Sequence, residues 1–123
     1  MPKRILIVDY RVEVQNLLEA TLKTSGHKIL KAGSGAQAIE IAKKERPHVI
    51  LMDVTLPGPI DGNEATRLLK SDPATQSCSV VMVTGRTGVE DKEKAISAGA
   101  DAYFSKPFSP LELLTRVQRM LEE

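Results

Sequence analysis

Short apolar runs at residues 5–8, 28–32, 49–52, 80–83 and 102–104 alternate along the chain with segments whose apolar residues recur at helical spacing. Most of these runs are continuous rather than alternating, which suits strands covered on both faces in a parallel sheet. The run at 28–32 is more polar than the rest. Between the runs, Val14, Leu17, Leu18 and Leu22 mark a first helix, and Ala38, Ile39 and Ala42 a second. Ala65, Leu68 and Leu69 mark a third, and Leu114, Val117 and Leu121 a last one, each forming a stripe that a helix can turn inward. The stretch at 89–98 offers only Val89, Ala95, Ile96 and Ala98.

Helix starts are written more clearly than helix faces. Ser34 with Gln37, Thr87 with Glu90 and Ser109 with Glu112 have capping-box spacing, and Asp61 with Glu64 is the aspartate-capped analogue. Pro110 stands where the first turn of the last helix needs no N–H. Gly26, Pro47 and Gly99 follow the ends of helices one, two and four. Five strand–helix units result. Their crossovers must be right-handed, so the expected fold is α/β: a five-stranded, doubly wound parallel sheet with five helices distributed over both faces. In such a sheet, ligands bind beyond the carboxyl ends of the strands.

That rim is where the polar residues of interest fall. The first run ends in Asp9, the third in Asp53, the fourth in Thr84 and the fifth leads to Lys106. Each has an ordinary explanation taken singly. Asp9 could cap the first helix, and Asp53 could open the loop at 54–60 by bonding its own backbone. Thr84 suits a strand or a turn, and Lys106 suits a surface. One site accounts for all four at once. A strand-end carboxylate becomes a nucleophile toward phosphorus when a divalent cation neutralises the incoming group. Mg²⁺ needs only one or two carboxylates and a few other oxygens. A lysine ammonium and a threonine hydroxyl can hold the phosphoryl oxygens. Phosphoryl transfer asks mainly for positioning and charge neutralisation, and this set offers both.

Composition narrows the alternatives. The chain has 123 residues, a length that fits one domain, read here as 1–123. Net charge is +1 and aromatic content 3% with no tryptophan, so neither a basic field nor a stacking platform for nucleic acid is expected. Lys43, Lys44 and Arg46 form the densest basic cluster, but Glu45 interrupts it and a solvated helix end is the simplest reading. No stretch approaches the roughly 20 apolar residues of a membrane span, and the start lacks the features of a signal peptide. One cysteine, Cys78, excludes an internal disulfide framework and fits a reducing cytoplasm.

The segments Ile-Leu-Ile-Val-Asp at 5–9, Leu-Met-Asp-Val-Thr-Leu-Pro-Gly at 51–58, Met-Val-Thr-Gly at 82–85 and Tyr-Phe-Ser-Lys-Pro-Phe at 103–108 carry a resemblance. In this order, and over the whole chain, they resemble the landmarks of response-regulator receiver domains of two-component systems. The resemblance implies a flavodoxin-like sheet of strand order 2-1-3-4-5. It implies that Asp53 is a phosphoacceptor served by a sensor histidine kinase or phosphotransfer protein. Mg²⁺ would be held by Asp9, Asp53 and the Thr55 carbonyl, and the phosphoryl group by Thr84 and Lys106. Thr84 and Tyr103 would form a switch that remodels the face of the fourth helix, fifth strand and fifth helix for a downstream protein or effector domain. The Lys106–Pro107 peptide is expected to be cis. Such a chain is a switch that promotes its own phosphorylation and dephosphorylation, not an enzyme acting on other substrates. It would contact neither nucleic acid nor membrane directly, work as a monomer or homodimer, and act alone or within a longer regulator.

Two departures from the family pattern stand out. Receivers usually carry a second acid after the first strand, typically the direct metal ligand, and here that position is Tyr10. A phenol with an ordinary pKa of about 10 is neutral and a poor replacement, so weaker Mg²⁺ binding is expected. Asp9 would be the substitute ligand, with Glu13 a poorer one. The extreme outcome is a pseudo-receiver, an interaction module independent of phosphorylation. The loop from Pro57 to Gly62 is also one residue longer than usual, an insertion that loops tolerate. Phosphatases of the haloacid-dehalogenase type need a second aspartate where Thr55 stands, and a flavodoxin needs a phosphate loop unlike residues 9–13. His27 and His48 read as solvated turn residues, Cys78 as incidental, and Met52 and Met82 as core filler. Without its switch role, Tyr103 would be a half-buried strand aromatic with its hydroxyl in water.

Overall fold

The structure is a computed structural model that describes residues 3–24 and 26–122; Met1, Pro2, Ser25 and Glu123 of the expected 1–123 domain lie outside the described residues. Five strands, β1 (Arg4–Val8), β2 (Lys28–Ala32), β3 (Val49–Met52), β4 (Ser79–Thr84) and β5 (Ala102–Ser105), pair in parallel in the order β2-β1-β3-β4-β5. They alternate with α1 (Val12–Lys23), α2 (Gly35–Glu45), α3 (Gly62–Ser71), α4 (Val89–Ala98) and α5 (Pro110–Glu122). The expected flavodoxin-like α/β fold and its strand order are therefore found.

Burial follows strand position. β3 is buried at every residue, whereas the edge strand β2 keeps Lys28 and Lys31 exposed. This is why the central runs are unbroken apolar in sequence and β2 is not. Successive side chains serve opposite faces. Leu6, Val8, Ile50, Met52, Val80 and Met82 pack with Ala38 and Ala42 of α2, Ala65 and Leu69 of α3 and Ala95 of α4. Ile5, Ile7, Val49, Leu51, Val81 and Val83 pack with Leu18 and Leu22 of α1 and Leu113, Val117 and Leu121 of α5.

Several expectations shift by one position. In α1, Leu17 is half exposed while Leu18 and Leu22 are buried, because a four-residue step keeps a side chain on the inner line and Leu17 is rotated off it. In α5 the innermost residue is Leu113; Leu114 is only partly buried. The cap of α4 is Gly88, not Thr87, and the Asp91 carboxylate accepts the Gly88 N–H at 3.3 Å. Asp61 and Ser109 cap as expected, accepting the N–H of Glu64 at 2.8 Å and of Glu112 at 3.3 Å. Ser34 accepts the Gln37 N–H at 3.1 Å, but the Gln37 side chain returns to Gly33 rather than to Ser34. Lys43 pairs with Asp72 at 3.6 Å, so the basic cluster is engaged in part with α3's exit.

The two histidines are not simple solvated turn residues. Each is half-buried, and each accepts a backbone N–H leading into β1: Lys3 to His27 Nδ1 at 2.9 Å and Arg4 to His48 Nδ1 at 3.1 Å. They finish the N-terminal edge of the sheet, where backbone donors need partners. Burial, followed by the charges of Arg4 and Lys3, holds the His48 imidazole below its usual pKa. A folded-state value below the unfolded one gives stability that is complete above the ordinary imidazole value of about 6.5. That contribution is lost as pH falls through the folded value. We expect the urea midpoint to fall between pH 7 and pH 5, and to fall less in His48→Asn, whose amide oxygen still accepts the Arg4 N–H without titrating. An equal fall in both would assign the pH dependence elsewhere.

Candidate functional site

Strand register brings the rim residues together. Val8 is the partner of Met52, so Asp9 and Asp53 are the next residues of two adjacent strands, and the Asp53 N–H donates to the Val8 carbonyl at 3.0 Å. Thr84 is the partner of Ser105, and the Lys106 N–H extends that pairing to the Thr84 carbonyl at 2.8 Å. The peptide between Lys106 and Pro107 is cis, as expected.

Asp9, Asp53 and Thr84 are buried, with relative exposures of 1%, 4% and 0%. The other buried polar residues described, Thr66 and Thr75, spend their hydroxyls on the carbonyls of Gly62 and Leu69. The two aspartates are different. Their Oδ2 atoms converge on a single cation, with Lys106 Nζ donating to Asp9 at 2.6 Å and to Asp53 at 2.9 Å. Asp9 Oδ1 accepts the Arg11 N–H at 2.9 Å, and Asp53 Oδ1 accepts the Thr55 N–H at 3.2 Å. Two buried carboxylates this close persist only with compensating charge and hydrogen bonds. The Asp9 side chain thus does not cap α1, whose N-cap is Arg11 without a side-chain cap.

Thr84 Oγ1 accepts the Arg86 N–H at 3.3 Å, which holds the hydroxyl at the start of the β4–α4 loop. The Arg86 guanidinium donates to the Thr55 hydroxyl at 3.1 Å and lies 3.8 Å from Asp91. Tyr103 is half-buried; its ring packs on the core, and its hydroxyl donates to the Arg86 carbonyl rather than only to water. Burial, then the Asp91 carboxylate, pushes the Tyr103 phenol above its usual pKa, so it remains a donor at neutral pH. Cys78 is buried, and that burial raises its thiol pKa, consistent with a packing role.

Tyr10 is exposed and Glu13 is exposed in the first turn of α1; neither replaces a carboxylate beside Lys106. No sequence motif singles out the Arg11 guanidinium. Its Nε lies 3.7 Å from Asp9 Oδ1 and its Nη2 4.0 Å from Asp53 Oδ2. Its signal in the sequence is its position two residues after the strand-end Asp9. No group of three or more His, Cys, Asp or Glu residues able to hold a metal is found among the described residues. The donor set is two buried carboxylates. That is the hard-oxygen chemistry of Mg²⁺, which retains waters, and not that of zinc.

This fold and this rim define a class. The family model for the response regulator receiver domain matches residues 5–118, and the chain belongs to that family. It is thus a receiver domain of two-component signalling. Protein PilH of Pseudomonas aeruginosa is 37% identical over 118 residues, covering 96% of this chain and 97% of PilH. The phosphate regulon transcriptional regulatory protein PhoB of the same organism is 35% identical, covering 97% of this chain but 52% of PhoB. The chain therefore spans about half the length of that transcriptional regulator and nearly all of PilH. Among solved structures, the receiver domain of a sensor histidine kinase from Pseudomonas aeruginosa, with a magnesium ion coordinated in its active-site cleft, superposes with a TM-score of 0.90. That match has 30% identity and covers 100% of both chains. No described helix is long and apolar enough to cross a membrane.

Proposed function

We propose that this chain is a working phosphoacceptor receiver, in which Asp53 takes a phosphoryl group from a histidine kinase or phosphotransfer protein. The observation that carries the reading is the buried Asp53 carboxylate, 2.9 Å from the Lys106 ammonium and beside Asp9. An Asp53 carboxylate oxygen attacks phosphorus, the phosphorus–nitrogen bond to the donor histidine breaks, and its electron pair stays on the imidazole nitrogen. Lys106 neutralises charge on the phosphoryl oxygens, and the Thr84 hydroxyl donates to one of them. Asp9, Asp53 and the Thr55 carbonyl would hold Mg²⁺, which supplies further neutralisation of the transferring group. Hydrolysis of the acyl phosphate at the same site resets the switch, so the chain acts only on itself.

The phosphoryl group brings roughly −1.5 to −2 charge to the rim. Drawing Thr84 toward it pulls on Arg86, whose backbone carries both the Thr84 bond and the Tyr103 hydroxyl bond. The β4–α4 loop and the surface of α4, β5 and α5 would respond, and Val89, Ile96 and Leu111 are exposed apolar residues on α4 and α5 available to a downstream protein. The pseudo-receiver reading keeps one supporting observation, the exposed Tyr10 where a second acid is usual.

Treatment with acetyl phosphate and Mg²⁺ tests the proposal. Intact-mass spectrometry is expected to show one added phosphoryl group in the wild type and none in Asp53→Asn. Amide NMR shifts over residues 89–98 and at Tyr103 should change on phosphorylation far more in the wild type than in Thr84→Ala. Labelling that survives Asp53→Asn removes Asp53 from its role. Equal shifts in Thr84→Ala remove only the coupling.

A further inference from the structure

We infer that Arg11 is a built-in second cation of the acceptor site, propped by Tyr10, that competes with divalent metal and takes over part of its charge-neutralising role. The inference rests on the phosphoacceptor reading. It starts from the charges at the rim. Asp9 and Asp53 contribute two negative charges, and Lys106 and Arg11 contribute two positive ones, so the cluster is neutral. A divalent cation approaching it meets an ammonium bridging both carboxylates and a guanidinium within 4.0 Å of both.

Tyr10 changes more than the count of acids. The Arg11 guanidinium carbon lies 5.5 Å from the centre of the Tyr10 ring, within cation–π range. The ring is half exposed and backs the guanidinium, whose charged neighbours are the Asp9 and Asp53 carboxylates. The same substitution that removes an anionic ligand therefore supplies a platform for a cation beside the acceptor.

An exposed ion pair at such distances would ordinarily contribute little. Here only the arginine is exposed, with 45% of its side chain open to solvent, while the Asp9 and Asp53 side chains are 2% and 5% exposed. Water screens buried carboxylates poorly, so a guanidinium near them retains influence. Arginine also offers a planar fork to the oxygens of a phosphoryl group. When Asp53 carries one, the Arg11 guanidinium, 4.0 Å from Asp53 Oδ2, lies within reach of its oxygens.

The test measures metal and phosphoryl behaviour separately, in wild type, Arg11→Gln, Arg11→Lys and Tyr10→Ala. Mg²⁺ is titrated into the unphosphorylated proteins at low ionic strength, followed by the amide shifts of Asp53 and Thr55. Arg11→Gln is expected to bind Mg²⁺ about five- to tenfold more tightly, since one competing unit charge is gone. Tyr10→Ala should move in the same direction by a smaller factor, and Arg11→Lys should stay within about twofold of the wild type. Acetyl phosphate labelling is then measured with Mg²⁺ and with chelator. The ratio of the two rates should rise several-fold in Arg11→Gln, because the metal-independent share falls. Mg²⁺ affinities of wild type and Arg11→Gln within twofold of each other would overturn the inference, as would an unchanged rate ratio. Absence of labelling in every variant would instead remove the phosphoacceptor reading, and the Mg²⁺ titration would still decide whether Arg11 competes with metal.

Discussion

Lys106→Met is expected to lower stability at neutral pH by about 2–4 kcal/mol, because it leaves two buried carboxylates without their shared counter-ion. Methionine keeps most of the stem's volume, so the loss isolates the ammonium. Arg11 stays nearby and limits the damage, which is why the value lies at or below the usual cost of orphaning a buried charge. Mg²⁺ should restore much of the loss and stabilise the variant more than the wild type, since a ligand that binds only the folded state adds stability by mass action. Urea unfolding with and without millimolar Mg²⁺ checks both parts. An unchanged midpoint in metal-free buffer would mean that solvent and Arg11 already satisfy the pair. Phosphorylation of the variant should also be slow, because the phosphoryl oxygens lose their cation.

Why so much of this site could be read from sequence is a matter of register. β1, β3 and β4 are covered on both faces, so their runs are unbroken and their ends are sharp. Parallel pairing then fixes which residues follow the ends side by side, and Asp9 and Asp53 fall into place without any knowledge of side-chain packing. Thr84 and Lys106 follow from the β4–β5 pairing in the same way.

The misreadings share another cause, which is that they depend on neighbours rather than on period. Leu17 and Leu18 are equally apolar, and only the angle of α1 against the sheet decides that Leu18 goes inward. Thr87 has the better capping side chain, yet the chain turns at Gly88, where the Asp91 carboxylate reaches the backbone N–H. His27 and His48 look like turn residues in sequence; their role comes from two N–H groups entering β1 that lie 24 and 44 positions away. Arg11 is hidden in the sequence for the same reason. One residue past Tyr10 it reads as an exposed loop arginine, and only the placement of Asp53 one strand over gives it a second carboxylate.

Gly62→Ala is expected to be the most damaging single-methyl change in the chain. An added Cβ would sit 2.0 Å from the Asp53 carbonyl oxygen, 2.8 Å from its carbon and 2.9 Å from Val54 Cα. All three are backbone atoms, so no rotamer change can relieve the clash. Gly62 is tied in place as well: its N–H donates to the Val54 carbonyl at 2.8 Å, and its carbonyl accepts the Thr66 hydroxyl at 2.7 Å. Either α3 lifts away from the sheet or the end of β3 moves. We expect a loss of about 3 kcal/mol or more, at the upper end of what overpacking costs. The second option displaces the backbone of the acceptor itself, so phosphorylation of the fraction that still folds should slow as well. Gly33→Ala is the control, since its Cβ would meet only the Gln37 side chain, at an ordinary 3.8 Å. Urea unfolding should place that variant within about 0.5 kcal/mol of the wild type, since alanine keeps the N–H that donates to Gln37 and crowds no backbone atom. If Gly62→Ala unfolded at the same urea concentration as Gly33→Ala, the close approach of α3 to the acceptor's backbone would be wrong.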